Sequence, residues 1–161
     1  MDFEAKIYLE RAESKVLLAK VTYEMSVNPT IKEALHLEQE ATFFNDVISA
    51  AYYGIFYAAK AYLMGNGIKT SPPEEHRKTY EQLKLSVASG KIGRELGEIY
   101  EAETEKAETL LNIFFSEKRK RGTFTYHMKS EANIPAAEES LRNARKFVSM
   151  MKAVIEQKDR K

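Results

Sequence analysis

The chain contains no cysteine. That excludes a disulfide framework, a thiol nucleophile and any metal site built on thiolates. Net charge of one sign is also lacking. Twenty-five Lys and Arg stand against 24 Asp and Glu, a formal charge of +1, so bulk charge argues neither for nor against a nucleic-acid partner. No long uninterrupted apolar run occurs. The longest apolar region, Ile48 to Met64, is broken by Ser49, Gly54 and Lys60, which reads as a core helix and not a membrane span. The chain opens on an amphipathic charged segment instead of an apolar leader, so a cytoplasmic protein without membrane contact is expected. Three histidines, His36, His76 and His127, lie far apart without paired-ligand spacing, so no metal and no cofactor is expected. Glycine-rich phosphate loops, nucleophile elbows and paired catalytic carboxylates are missing too.

What is present is helical. At 161 residues, 43% hydrophobic and 30% charged, the chain is one domain's worth with a real core and charged outer faces. Apolar residues recur in steps of four and three, the mark of a helix buried along one stripe. The stripes are Ala5, Leu9, Ala12, Val16, Ala19, Tyr23; Phe44, Ile48, Ala51, Ile55, Ala58, Tyr62; and Ala137, Leu141, Ala144, Val148, Met151, Ile155. A fourth, Leu96, Tyr100, Glu103, Ala107, Leu110, Phe114, carries one acid in its seam. The expected fold is all-α: an antiparallel bundle of four long helices with one or two short extra helices, in a single domain over residues 1–161. Ile48, Ala51, Ile55, Leu110, Leu141 and Val148 should be buried.

Local signals divide the stripes. Thr30 with Glu33 reads as a capping box for a short helix near 31–40. Gly65-Asn66-Gly67 stops the second long helix. Ser71 followed by Pro72 reads as a cap and first turn for a helix over 72–88. Gly90 closes that helix, the Glu-rich helix starts near Ile92, and Pro135 opens the last one. Gly122 breaks the chain between them, with Thr123 to Tyr126 extended.

The candidate chemistry lies between Lys118 and His127, where five residues separate Arg121 from His127, beside Tyr126. Arginine is a permanent cation with a planar fork of donors suited to phosphate. Histidine can give or take a proton near neutrality. Together they can hold a phosphodiester and move a proton without a metal. The plainer alternative is a basic helix end with a surface histidine. Glu103 is expected at the exposed edge of its stripe, because an unpaired buried charge is costly; a buried carboxylate facing Arg121 or Tyr126 is the alternative. His36 and His76 are expected on the surface. Tyr52, Tyr53, Phe56, Tyr57 and Tyr62 cover more of their helix than one seam needs, which points to an interface and a homodimer.

The segment from Ala50 to Leu63, Ala-Ala-Tyr-Tyr-Gly-Ile-Phe-Tyr-Ala-Ala-Lys-Ala-Tyr-Leu, resembles the signature helix of HEPN domains, the nucleotide-binding helical domains of higher eukaryotes and prokaryotes. Gly67-Ile68, the Ser-Pro helix start with His76, and the spacing of Arg121, Tyr126 and His127 are similar to later elements of that family. The resemblance covers roughly residues 40–157 and implies a metal-independent ribonuclease, in many members a toxin paired with a small nucleotidyltransferase antitoxin. Arg121 would then hold the scissile phosphate while the ribose 2′-hydroxyl attacks it, and His127 would serve as acid or base. Lys118, Arg119 and Tyr126 would contact RNA or nucleotide, and Glu103 and Tyr53 are candidate supporting residues. Gly122 follows the arginine where active members often carry Asn, Asp or His. Two other readings therefore stay open: a noncatalytic HEPN module that binds a nucleotide or the nucleotidyltransferase, and a structural dimerising bundle.

Overall fold

The computed structural model describes the backbone of residues 1–111 and 130–161, and the side chains of 1–108 and 134–161. Among these residues the chain is all-helical: α1 Phe3–Val27, α2 Pro29–Ala34, α3 Phe44–Gly65, α4 Glu75–Ala88, α5 Arg94–Leu111 and α6 Ser130–Asp159. Among the described residues no helix is long and apolar enough to cross a membrane.

The bundle forms because each long helix turns its apolar stripe inward. Ala5, Leu9, Ala12 and Ala19 of α1 are buried, as are all six stripe residues of α3 and all six of α6. Ile48, Ala51, Ile55, Leu141 and Val148 are among them, while Leu110 and Phe114 lie outside the described side chains. Small residues in the stripes let helix axes approach. At Gly54 on α3, an added Cβ would stand 3.1 Å from Val16 Cγ2 and 3.4 Å from the Ala12 carbonyl on α1, so even a methyl group would need Val16 to give by a few tenths of an ångström.

Side-chain pairs fix the relative directions of the helices. Tyr23 meets Phe44 and Tyr8 meets Tyr57, so α1 and α3 run oppositely. Glu13 accepts from Lys152 at 2.6 Å, and Glu138 from Tyr23 at 2.6 Å, so α1 and α6 also run oppositely. Lys146 pairs with Glu95 and Lys106 with Glu139, which opposes α5 to α6. Lys158 of α6 donates to the Gly65 carbonyl at 2.6 Å, clipping the C-terminal ends of α3 and α6 together. α3 touches α1, α4, α5 and α6; it is the helix around which the others gather.

Three helix starts differ from the sequence expectation. Asn28, not Thr30, caps α2: its Oδ1 accepts from the backbone N–H groups of Thr30 and Ile31 at 3.0 and 3.2 Å, with Pro29 in the first turn where its missing N–H costs nothing. The helix ends at Ala34, and His36 follows at φ 56°, shorter than the expected 31–40. Ser71 caps nothing, because the residue before a proline is driven from the helical region, and Pro73 therefore keeps Pro72 out of a helix. α4 begins only at Glu75, after Glu74 at φ 58°. Pro135 lies inside α6 and does not open it; near the helix start it removes one ladder hydrogen bond without ending the helix. The stop after α3 is as expected, with Gly67 at φ 76°.

Candidate functional site

Arg121 and His127, with Lys118, Arg119 and Tyr126, lie outside the described residues. The two supporting candidates, Glu103 and Tyr53, belong to two separate clusters.

The first cluster joins α5 to α6. Glu103 is fully buried, which corrects its expected place at the stripe's edge. Burial is tolerable because three donors reach its carboxylate: Ser140 Oγ at 2.6 Å, Asn143 Nδ2 at 2.9 Å and Lys106 Nζ at 3.0 Å. Lys106 also donates to Glu139 at 2.8 Å. The charge is thus compensated on every side and extended toward solvent through Lys106, the condition under which an interior carboxylate persists. The cost argument from sequence fails here because it assumed no partner, and the partners come from another helix.

The second cluster is aromatic and spans α1, α3 and α4. The Tyr52 ring is fully buried, Phe56 is 3% exposed, and both pack against Ala107 of α5. His76, at the start of α4, is half-buried and not on the surface as expected. Its ring stacks on Phe56 at 4.1 Å between centroids, and its Nδ1 lies 2.7 Å from the Tyr52 hydroxyl. Burial holds the His76 imidazole below its ordinary pKa, and the Lys60 charge acts in the same direction against the opposing pull of Glu75. A neutral ring with Nδ1 bare can then accept from Tyr52. Burial raises the Tyr52 phenol well above its ordinary pKa, so Tyr52 keeps its proton. Tyr53 stands edge-on to both Tyr52 and His76, its own phenol also raised by burial.

Lys60 anchors this cluster. Only 4% exposed, it pairs with Glu75 of α4, donates to the Thr70 carbonyl at 3.1 Å, and lies 4.5 Å from the Tyr8 ring centroid. One buried cation thus ties α1, α3 and α4 together. The burial of His76 had a sequence signal: positions 76, 79, 83 and 86 recur at helical spacing, and Thr79, Leu83 and Ser86 are buried. Lys60 had one in its place inside an apolar run.

Tyr53 and Glu103 do not meet, and the structure builds no single centre from them. Of the five aromatics taken as an interface, Tyr52, Phe56 and Tyr62 are buried within this chain, leaving Tyr53 and Tyr57 partly open. Compared with known proteins, the chain matches no protein-family model and no curated sequence.

Proposed function

We propose that this chain is a HEPN-like helical module that handles RNA or a nucleotide, with Arg121 and His127 as a metal-independent RNA-cleaving pair. The observation that carries the reading is the place of the resembling segment. Residues 50–63 form the middle of α3, the helix on which all other long helices pack. Their aromatic rings reach Ala107, one turn before α5 ends at Leu111. The basic segment with Arg121 and His127 follows directly in sequence. Four long helices, with consecutive ones alternating in direction, support an antiparallel HEPN-like bundle.

The roles follow from chemistry. Arg121 holds the scissile phosphate and stabilises its developing charge; His127 moves the proton at the 2′ or 5′ oxygen; Lys118, Arg119 and Tyr126 bind the strand. A homodimer is part of this reading. Leu17, Leu18 and Val21, exposed by 61%, 48% and 46% on α1, supply apolar surface for such pairing, and a small nucleotidyltransferase is the partner that a toxin role calls for. The test is incubation of purified protein with structured and unstructured RNA in EDTA, beside Arg121→Ala. Cleavage by wild type alone supports the reading. RNA binding by both without cleavage favours the noncatalytic module, and neither binding nor cleavage removes the RNA function altogether.

A further inference from the structure

A groove between α1 and α3 combines aromatic faces with uncompensated positive charge. It is open, about 380 Å³, and lined by Ile7, Glu10, Arg11, Ser14, Lys15 and Tyr57. Its aromatic side is a series of rings: Tyr8 and Tyr57 lie 6.0 Å apart between centroids, and Tyr57 continues to Phe56 at 5.5 Å and Tyr53 at 6.0 Å. Its rim is cationic. The Arg11 guanidinium stands 5.4 Å from the Tyr8 centroid, and the Lys15 ammonium 5.9 Å from that of Tyr53.

Lys69 is paired with Glu4 and Lys152 with Glu13, both acids of α1. Among the described residues Arg11 and Lys15 have no carboxylate at ion-pair distance, and each instead sits against a tyrosine ring. The absence of a side chain at Gly54 makes this arrangement possible: α1 lies so close that Lys15 Cβ is 3.6 Å from where a Gly54 Cβ would be. Lys15 is thereby held over the ring series.

Partly open tyrosine rings flanked by two cations outside any ion pair fit a ligand that is planar at one end and anionic at the other. A nucleotide unit of a single strand has that form. Any base can stack on an aromatic ring, and the adjoining phosphates need only positive charge in reach. We propose that this groove is a subsite for single-stranded RNA, with a base stacked on Tyr57 and the neighbouring phosphates held by Arg11 and Lys15. Glu10, the one carboxylate of the lining, is placed to accept from a base amino group or a ribose hydroxyl. The inference rests on the reading of the chain as an RNA-handling module and adds where the strand lies. The rings lead from the groove through Phe56 to Ala107, toward the end of α5 from which the Arg121 segment departs.

The test uses the full chain and a fluorescein-labelled ten-nucleotide 2′-O-methyl oligouridine, which cannot be cut by 2′-hydroxyl attack, read by anisotropy. Tyr57→Ala should weaken binding at least about tenfold, the loss expected when one base loses its stacking partner. Tyr57→Phe should keep most of it. The double change Arg11→Gln with Lys15→Gln should lower the slope of log affinity against log salt by about 1.4, two single-strand phosphate contacts. Arg11 is exposed and Lys15 is half-buried against Gly54; glutamine keeps part of each aliphatic stem, so the variant should fold, as its melting curve checks, and its slope decides the matter even if Tyr57→Ala unfolds. Wild-type binding with an unchanged slope in the double variant would overturn the groove while leaving the RNA reading intact. No binding by wild type would overturn both. Unchanged RNA affinity with a dimer that dissociates on Tyr57→Ala, seen by sedimentation, would show the groove to be a contact between two copies and overturn the proposal.

Discussion

Ser140 on α6 donates a 2.6 Å hydrogen bond to Glu103 on α5, and neither side chain touches water. The bond crosses 37 residues of sequence and, with Asn143 and Lys106, makes the α5–α6 seam a polar joint inside an otherwise apolar bundle. Its position matters because α5 and α6 are the two helices that flank the Arg121 segment. Glu103→Ala would leave three donors facing a small cavity, and the loss should be about 3 kcal/mol, since removing one partner of a buried charged network costs more than the network's net worth. Glu103→Gln should cost less, because its amide oxygen still accepts one bond. Urea denaturation reads both, and a Glu103→Ala loss below about 1 kcal/mol would mean that the joint is not structural.

His76 gives the fold a dependence on pH. Its pKa in the folded protein lies below the unfolded value of about 6.5. Between those two values the unfolded chain holds a proton that the folded chain does not, so stability rises with pH across the window. Its contribution is complete above about pH 6.5 and is lost as pH falls toward the folded pKa. His76→Gln should therefore lose less stability than wild type between pH 7.5 and 5.5, with Tyr52 still offered an acceptor. Melting curves at the two pH values check this. Equal losses in both proteins would show that burial and the Lys60 charge do not hold the ring neutral against Glu75.

Tyr100 presents the opposite case. Its hydroxyl is buried, and among the described residues neither it nor Thr104 Oγ1 makes a well-formed hydrogen bond, although the Tyr52 hydroxyl lies close enough to pull its phenol down against burial. Burial raises the Tyr100 phenol far above its ordinary pKa. Removing an unsatisfied polar atom relieves its desolvation cost and keeps the ring packed on Phe147 and Tyr80. Tyr100→Phe should be neutral or more stable by up to about 1 kcal/mol, and a clear loss in chemical denaturation would expose a partner for that hydroxyl.

The core was legible in sequence because the period of a buried stripe is a local property. Ile55 could be placed inside from its neighbours at 48, 51, 58 and 62 alone, and it is fully buried. Ile55→Asp should cost several kcal/mol by leaving a charge without a partner in that interior, and an unchanged melting temperature would refute the packing. The polar clusters were harder to read, because each depends on what another helix brings. Glu103 lay visibly in the seam, yet Ser140 and Asn143 that make its burial tolerable are remote in sequence. His76 had a helical period pointing inward, but its ring partners sit on α3. The misplaced caps have a more local cause. Thr30 and Ser71 carry the right side chains for capping, and it was the prolines beside them that decided where each helix could begin.

The chemistry proposed for Arg121 and His127 makes the sharpest prediction. With a 2′-hydroxyl as nucleophile, cleavage products should end in a 2′,3′-cyclic phosphate, and DNA, lacking that hydroxyl, should stay intact. The reaction should proceed in EDTA. Arg121→Ala should abolish cleavage by removing the phosphate clamp, and Arg121→Lys should restore only part of it, because a point charge lacks the two-pronged fork that holds a phosphate in one orientation. His127→Ala should lose cleavage through lost proton transfer, with helical circular dichroism unchanged. Mass spectrometry of the product ends decides between mechanisms: a 3′-hydroxyl with a 5′-phosphate would require attack by water instead of the ribose, and would remove the 2′-hydroxyl step from this account.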